Sequence, residues 1–492
     1  MPAEASAKIE QLEEENRILS LRVRALEAEL YGSRADRRKP EDPNQTTFAE
    51  VDEASEHEAR SPAVPSETRR KERKGKKKGP KPLNPDLRRV EERIADPDLK
   101  ELVCPVTGAP MKPAFEEKIE VLARKPAEYY VKVFVRQVFA SAHGEAMAYS
   151  PWPSSVMPRS RMDASVVGSI LCARFADHQP YNRQSEQLKR HGVDLARNTI
   201  CSLVRLAEEK LESAYDAVVR HALAAGYLMM DPTPVRLKSE RKKGSTKEAC
   251  LWTYRALDGP VFFEFAEGKQ GTTPAKTLQS YQGILQTDGA NNFGGVPARE
   301  DIVHLNCWAH VRRYFVKAEQ SGDKRSKDYL DAIDRLFRRE RLIRRYRLNA
   351  AATLELRRRY SLPEVDKLFE RAREYAQSER MRKLPMSKAV GYLLGRTTAL
   401  RECFLHAPSR IDNNLAENAL RPIKLGAKNW LFIGSPHAGP RTAMMFTLVE
   451  NCRLNAINPE EYLIDVLARV DDHPNSRIAE LTPQGWLKSK ND

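Results

Sequence analysis

Two short apolar runs, each closed by an aspartate, constrain this chain more than any other feature. Gly226-Tyr227-Leu228-Met229-Met230-Asp231 is followed by Pro232-Thr233-Pro234-Val235, and Gly283-Ile284-Leu285-Gln286-Thr287-Asp288 is followed by Gly289. Each run predicts a buried strand that delivers a carboxylate at or near one end. Between them, residues 249–258 and 261–266 flank Gly259-Pro260 and predict a hairpin. Residues 277–281 predict a short helix and residues 301–307 a further strand.

A third acidic residue lies far downstream, in Ile411-Asp412-Asn413-Asn414-Leu415-Ala416-Glu417-Asn418-Ala419-Leu420-Arg421-Pro422-Ile423-Lys424. The stretch predicts a helix opening, with Asp412 or Asn413 able to cap the first turn by accepting a backbone N–H. Leu415, Ala419 and Leu420 can face a core, and Glu417 has Asn413 and Arg421 one turn to either side. Two readings of the segment stay open. One is a surface helix with an ordinary Glu–Arg pair. The other is a carboxylate that helps hold a metal ion near a phosphodiester, with Arg421, Lys424 and Lys428 on the phosphates. Pro422 is expected to kink or end the helix.

Three meandering strands, a helix, a strand ending in Asp, another strand and a much later helix bearing Glu is the element order of ribonuclease-H-like α/β folds. The local sequence also resembles a known family. Leu285-Gln286-Thr287-Asp288-Gly289, Cys307-Trp308-Ala309-His310-Val311-Arg312-Arg313 and the block from Ile411 to Gly434-Ser435 are similar to the insertion-sequence-66 transposases, DDE enzymes of bacterial mobile elements. The resemblance runs from about Asp163 to Trp486. Where that family usually carries Asp-Glu-Thr-Pro-Val, this chain has Asp231-Pro232-Thr233-Pro234-Val235.

The resemblance implies that Asp231, Asp288 and Glu417 are catalytic and hold two Mg²⁺ ions, with Mn²⁺ a plausible substitute. Asp231 would bridge the ions, Asp288 would bind one and Glu417 the other. Such a pair of ions can activate water or a 3′-hydroxyl and stabilise the leaving oxygen. The implied reaction is cleavage at transposon ends followed by strand transfer. The implied partners are terminal inverted repeats, target DNA and accessory proteins of the same element. His310 reads either as a phosphate-orienting or proton-transfer group or as a buried structural histidine beside Trp308. Arg312 and Arg313 are candidate DNA contacts. Asn413 and Asn414 read as DNA contacts or as caps.

Composition supports a polyanionic partner. The 492 residues carry a formal charge of +15, with a pI near 9.4. The size suggests about three domains. No apolar run approaches the ~20 residues of a membrane span, and the amino terminus lacks a signal-peptide core. Seven dispersed cysteines fit a reducing cytoplasm, and DNA binding would associate the protein with the nucleoid.

The amino-terminal third has its own organisation. Ile9, Leu12, Asn16, Leu19, Val23, Leu26 and Leu30 follow an a/d heptad register. Residues 1–32 are therefore expected to form a coiled coil that dimerises the chain, against the alternative of an amphipathic helix packed on its own domain. Residues 33–98 are polar and expected to stay unfolded. Within them Arg69 to Lys81, including Lys76, Lys77 and Lys78, carries nine basic residues and one Glu. Such a run binds DNA phosphates nonspecifically, or is simply a solvated linker. Residues 99–160 are expected to be β-rich. Cys104-Pro105-Val106-Thr107-Gly108 stands where the family usually has a Cys-x-x-Cys-Gly knuckle, and too few ligands remain for zinc.

Residues 161–222 predict three helices with helix-turn-helix spacing, Asp163 capping the first and Arg197-Asn198-Thr199 opening the third. Arg197 and Asn198 are candidate DNA contacts, and a plain packing bundle is the alternative. The catalytic core would comprise residues 223–310 and 405–456, interrupted by a helical insertion over 311–404 in which Pro363 and Pro385 mark helix boundaries. Residues 457–492 are expected to form a last helix and tail. Two rival functions share this scaffold: a catalytically inactive or domesticated DNA-binding protein, and a ribonuclease-H-like nuclease without strand transfer.

Overall fold

A computed structural model describes Tyr129, residues 138–140, 147–149, 162–240, 244–290, 293, 296–377 and 384–491. The heptad segment, the basic run with Lys76, Lys77 and Lys78, and the Cys104 region lie outside the described residues. In the expected β-rich region, strands β1 (Val138–Ala140) and β2 (Met147–Tyr149) pair antiparallel.

The central sheet has five strands in the order β5-β4-β3-β6-β7. They are β3 (Tyr227–Lys238), β4 (Thr246–Ala256), β5 (Val261–Ala266), β6 (Gly283–Thr287) and β7 (Ile302–Asn306). β3, β4 and β5 form an antiparallel meander, and β6 and β7 join parallel to β3. The fold is mixed α/β, with the expected order of strands. Alternation along β3 sends Tyr227 and Met229 to one face and Leu228 and Met230 to the other. Each face is covered, so both sets are apolar.

Pro232 and Pro234 sit inside β3 without breaking it. The Gly226 and Arg236 carbonyls and the Lys238 amide point to the edge shared with β6 and Ile433. By alternation the even-numbered amide positions 232 and 234 face the same edge. There the β6 ladder has ended at Met229 and the bridge to Ile433 has not begun. The prolines therefore remove no ladder hydrogen bond.

One face of the sheet carries α3 (Arg197–Leu223) and α12 (Ala438–Leu454). Buried polar residues of α12 close the free edge of β5. Asn451 Oδ1 accepts from Val261 N (3.1 Å), its Nδ2 donates to Val261 O (2.6 Å), and Phe263 N donates to Thr447 Oγ1 (2.9 Å). An edge strand so covered cannot recruit another chain.

The three amino-terminal helices are α1 (Ala164–Phe175), α2 (Tyr181–Arg190) and α3. Asp163 caps α1 by accepting from Ser165 N (3.0 Å). α3 runs 27 residues without interruption, and Tyr215 on it donates to Phe263 O of β5 (3.0 Å). The helical region is thus continuous with the sheet. The carboxyl terminus is more than a helix and a tail. α13 (Pro459–Arg469) packs on α1, and a 3₁₀ turn (Asn475–Leu481) leads to α14 (Pro483–Asn491). Tyr462 donates to Leu481 O (2.7 Å) and Trp486 Nε1 to Asp465 (2.7 Å), which fold the end back on itself. Beyond α13, Ile478, Leu481 and Trp486 are buried.

The helical insertion covers the other face. After the short α4 (Thr272–Thr277), α5 (Trp308–Gln320) leads to α6 (Ser326–Arg345), α7 (Ala350–Leu356), α8 (Leu362–Gln377), α9 (Pro385–Leu394) and α10 (Thr397–Glu402). Pro385 opens α9 as expected, but Pro363 ends nothing. Helical backbone runs through it from a π turn at Arg357–Ser361, where wider hydrogen bonding tolerates a missing donor. That π turn carries Arg357, fully buried. Its guanidinium donates to Glu340 (2.9 and 2.7 Å) and to the carbonyls of His406 (2.7 Å) and Ser409 (2.8 Å). The insertion is thereby tied to the loop that precedes α11 (Asn414–Trp430).

Candidate active site

The parallel register brings the first two aspartates together. β3 and β6 pair Tyr227 with Ile284 and Met229 with Gln286, an offset of 57 that carries Asp231 to Asp288. β6 and β7 pair Thr287 with Asn306, which carries Asp288 to Cys307. In-register residues of parallel strands share a face. Continuing the register sets Asp231, inside β3, in a row beside Asp288 and Cys307, which directly follow β6 and β7, on the face of Tyr227 and Met229. Asp231 was expected near a strand end, but pairing with β4 carries β3 on to Lys238.

Glu417 reaches this row because the start of α11 is stapled to the strand ends. Trp308 N donates to Ile411 O (2.8 Å), Asn413 N to Cys307 Sγ (3.2 Å) and Asn413 Nδ2 to Met230 O (2.8 Å). Asp412 takes the capping role, accepting from Asn414 N (3.2 Å). Asn413 is wholly buried, so it is an internal tie and not a DNA contact. Glu417 then lies in the first turn, where the helix dipole favours a carboxylate.

The insertion buttresses the second aspartate. Tyr392 of α9 donates to Asp288 O, and Arg396 Nε donates to Gly289 O (2.9 Å). Gly289 has φ +84°, and a Cβ there would run into the Arg396 side chain. Neither Tyr392 nor Arg396 carried a signal in the sequence, because their contacts are to backbone more than 100 residues away.

The electrostatics are those of crowded carboxylates. Asp231 is 9 % exposed. Burial, then Glu417, then Asp288 push its carboxyl up to about 7, while Lys424 and Arg313 act in the opposite sense. Arg313 donates to Glu417 Oε2 (2.7 Å) and meets His310 Nε2 (3.0 Å). His310 Nδ1 lies 3.8 Å from Glu417 Oε1. Among the described residues, Glu417 Oε1 and Asn413 Oδ1 are buried without a hydrogen-bond partner. Donor atoms of Cys307, His310 and Glu417 also lie within 4.8 Å of one another. That set includes a softer ligand than the oxygens Mg²⁺ prefers. Its Cys-x-x-His spacing at the start of α5 is legible in the sequence but was read there only through His310.

Of the other expected site residues, Arg312 does not join the cluster. One residue round α5 from Arg313, it donates to Asp334 of α6 (3.0 Å) and ties the insertion together. Arg421, Lys424 and Lys428 are exposed on α11, which continues through Pro422 to Trp430. Spacings of four, three and four residues then set all three on one stripe with Glu417. Arg197 and Asn198 are exposed at the start of α3, away from the acidic row.

The family model for transposases of the IS66 family matches residues 159–441. The chain belongs to that family. The model for the IS66 C-terminal element matches residues 447–484, which here run from the carboxyl-terminal part of α12 through α13 and the 3₁₀ turn. Two proteins of Sinorhizobium fredii (strain NBRC 101917 / NGR234) are similar along nearly the whole chain. The uncharacterized protein y4hP is 31% identical over 96% of this chain and 89% of its own length. The uncharacterized protein y4qI is 27% identical over 94% and 87%. As a member of the IS66 family the chain is expected to act on DNA with a divalent metal. Among the described residues no helix is long and apolar enough to cross a membrane.

Proposed function

We propose that this IS66-family chain is an active DDE transposase on a ribonuclease-H-like core, binding transposon ends, cutting them and joining the freed 3′-hydroxyl to target DNA. The observation that carries the reading is the convergence of Asp231, Asp288 and Glu417, from two adjacent parallel strands and a helix 129 residues further on. Burial first, and then repulsion from Glu417 and Asp288, raise the Asp231 carboxyl. A cation relieves that repulsion. Glu417 Oε1, buried without a hydrogen-bond partner, fits the same need. When bound, a pair of Mg²⁺ ions would supply charge neutralisation for the attacking and leaving oxygens. The three carboxylates would hold it, and Mn²⁺ suits the same oxygen donors.

The remaining residues have separable parts. Asn413 fixes the start of α11 against β3, which sets Glu417 toward Asp231. Tyr392 and Arg396 hold the turn that carries Asp288. Arg421, Lys424 and Lys428 supply phosphate contacts along α11, and Arg313 can exchange Glu417 for a phosphate oxygen once the carboxylate is engaged. Pro232 is compatible with activity, because β3 runs through it with its hydrogen-bond ladders intact.

The test is an assay of the full-length protein on DNA bearing the element's terminal inverted repeats, with Mg²⁺ or Mn²⁺. Nicking at the repeat end followed by joining to a second DNA is the expected result. Specific binding without cleavage in either metal would favour the domesticated protein, and cleavage without joining a plain nuclease.

A further inference from the structure

The carboxyl end of α11 combines features that are costly to keep. Leu431 adopts φ 65°, ψ −45°, a region that branched side chains avoid. Leu431 and its neighbour Phe432 are 63 % and 41 % exposed. The tip is nonetheless firmly held. Leu431 N donates to Ala427 O (2.9 Å), Ile433 N to Arg236 O (2.8 Å), and Lys238 N to Ile433 O (2.9 Å). Two large apolar side chains are thus presented to solvent on a fixed, strained loop, with no core reason for either.

Beside this tip opens a cavity of about 710 Å³ bounded by α1, α2, α3 and the two ends of the α11–α12 connection. Its lining is strongly basic: Arg174, Arg183, Arg197, Arg205 and Arg441 face a single acid, Glu208. Glu208 is paired with Arg441 (3.2 Å) and Arg205 with Glu209 (3.2 Å). Arg183 and Arg197 make no ion pair among the described residues. Arg174 lies against two aromatic rings, 4.9 Å from the centre of Tyr181 and 5.5 Å from that of Trp430. The wall therefore already contains a stack of guanidinium and aromatic planes.

Unpaired guanidinium groups ask for phosphate oxygens. An exposed ring beside a guanidinium–aromatic wall asks for a flat apolar face. A simple anion leaves Phe432 and Leu431 unexplained, and an apolar peptide leaves the arginines unexplained. A nucleotide satisfies both, and the volume is that of a small-ligand site. In duplex DNA the base faces are stacked away, so only an unpaired nucleotide offers one. The stripe of Arg421, Lys424 and Lys428 leads to this mouth from Glu417, roughly 20 Å away along α11.

We propose that this cavity binds an unpaired nucleotide, with its base against Phe432 and its phosphates on Arg183 and Arg197. The proposal rests on the DNA-binding reading above. The nucleotide can belong to a DNA strand or be free, and the test separates the two. Full-length protein is titrated by fluorescence anisotropy with a blunt duplex, with the same duplex carrying one unpaired nucleotide, and with that nucleotide made abasic. The expected result is a preference of roughly tenfold for the unpaired nucleotide, largely abolished on the abasic DNA. Phe432→Ala and Arg183→Ala should erase the preference while leaving blunt-duplex affinity little changed, and Phe432→Tyr should keep it. No preference in the unmutated protein, or a preference that survives both alanine variants, overturns the site. Equal competition by deoxyadenosine monophosphate, sensitive to the same variants, keeps the site and assigns it to free nucleotide. Should no duplex bind at all, the DNA reading fails, while the mononucleotide titration still decides whether the cavity is a nucleotide site.

Discussion

The two ends of α11 are opposites. Its amino end is negative and enclosed, with Glu417 beside Asp231, oxygen atoms left without hydrogen-bond partners, and Arg313 resting on the carboxylate. Its carboxyl end is positive and open, with arginines lining a cavity and apolar side chains displayed to water. The first arrangement gathers like charges that only a cation can reconcile. The second offers charge and flat surface to a strand of nucleic acid. One helix, kept straight enough through Pro422 to hold a single stripe of basic residues between them, joins a place for chemistry to a place for grip. The difference predicts that damage at one end should leave the other working.

The largest effect belongs to the acidic end. Asp231→Asn, Asp288→Asn and Glu417→Gln should each lower cleavage on the order of a thousandfold or more, since each removes a ligand and its charge from phosphoryl transfer. DNA affinity should change little, because phosphate contacts elsewhere supply it. Single-turnover cleavage and a binding titration on the same DNA check both halves. Full cleavage by the Asp231 or Glu417 variant would refute the assignment.

Next in size is the anchor behind that end. Arg357 and Glu340 are both almost wholly buried and joined by two hydrogen bonds, and Arg357 also satisfies the carbonyls of His406 and Ser409. Arg357→Ala should cost roughly 3–5 kcal/mol of stability, because it strands a buried carboxylate. Urea unfolding would measure it. The loop that Arg357 holds leads into Ile411 and α11, so cleavage should fall in this variant even where the protein remains folded. A loss of stability with unchanged cleavage would show that the insertion does not support the acidic end.

What was legible beforehand divides along physical lines. The strands announced themselves, because Tyr227–Met230 and Gly283–Leu285 are apolar on both faces and lead into acids, although β3 runs on past Asp231 to Lys238. The helix at Asn414 was legible from its polar opening and apolar spacing. The common stripe of Glu417, Arg421, Lys424 and Lys428 was not, since Pro422 argues locally for a break and only packing keeps the helix going. Arg312 looked equivalent to Arg313, yet 100° of helix sends one to Asp334 and the other to Glu417. Asn413, Thr447, Asn451 and Arg357 act through backbone groups distant in sequence, and a lone polar residue in an apolar stretch gives no sign of which strand it will satisfy. The arginine cavity was equally hidden, because its lining comes from five separate helices and, of its arginines, only Arg197 had been singled out.

Ionisation offers a third way to separate the ends. The Asp231 carboxyl stands near 7 in the folded protein against an ordinary value near 3.8. A raised carboxyl binds more protons folded than unfolded, so metal-free stability from this group is fully present below about 4 and is lost as pH rises to about 7. Mg²⁺ should therefore raise the melting temperature more at pH 8 than at pH 5. Glu417→Gln removes one of the charges responsible and should shrink that difference, whereas Phe432→Ala at the opposite end should not alter it. Equal Mg²⁺ stabilisation at both pH values would break the link between the crowded carboxylates and metal.

The smallest effect concerns the stripe that connects the ends. Lys424 and Lys428 are both exposed on α11, but only Lys424 acts on Asp231. Removing one phosphate-binding cation should lower the slope of log affinity against log salt by about 1, with a modest fall in affinity at low salt. Lys428→Ala should do this alone, leaving cleavage at saturating protein unchanged. Lys424→Ala should do it as well, and should also raise the Asp231 carboxyl further, because a nearby positive charge has gone. Its metal-dependent melting shift should therefore move to higher pH while that of Lys428→Ala stays in place. Two lysines one turn apart would then be told apart by pH, which a stripe serving only to hold DNA could not produce. Identical behaviour in both variants would mean that Lys424 belongs wholly to the grip and that the boundary between the two ends lies nearer to Glu417.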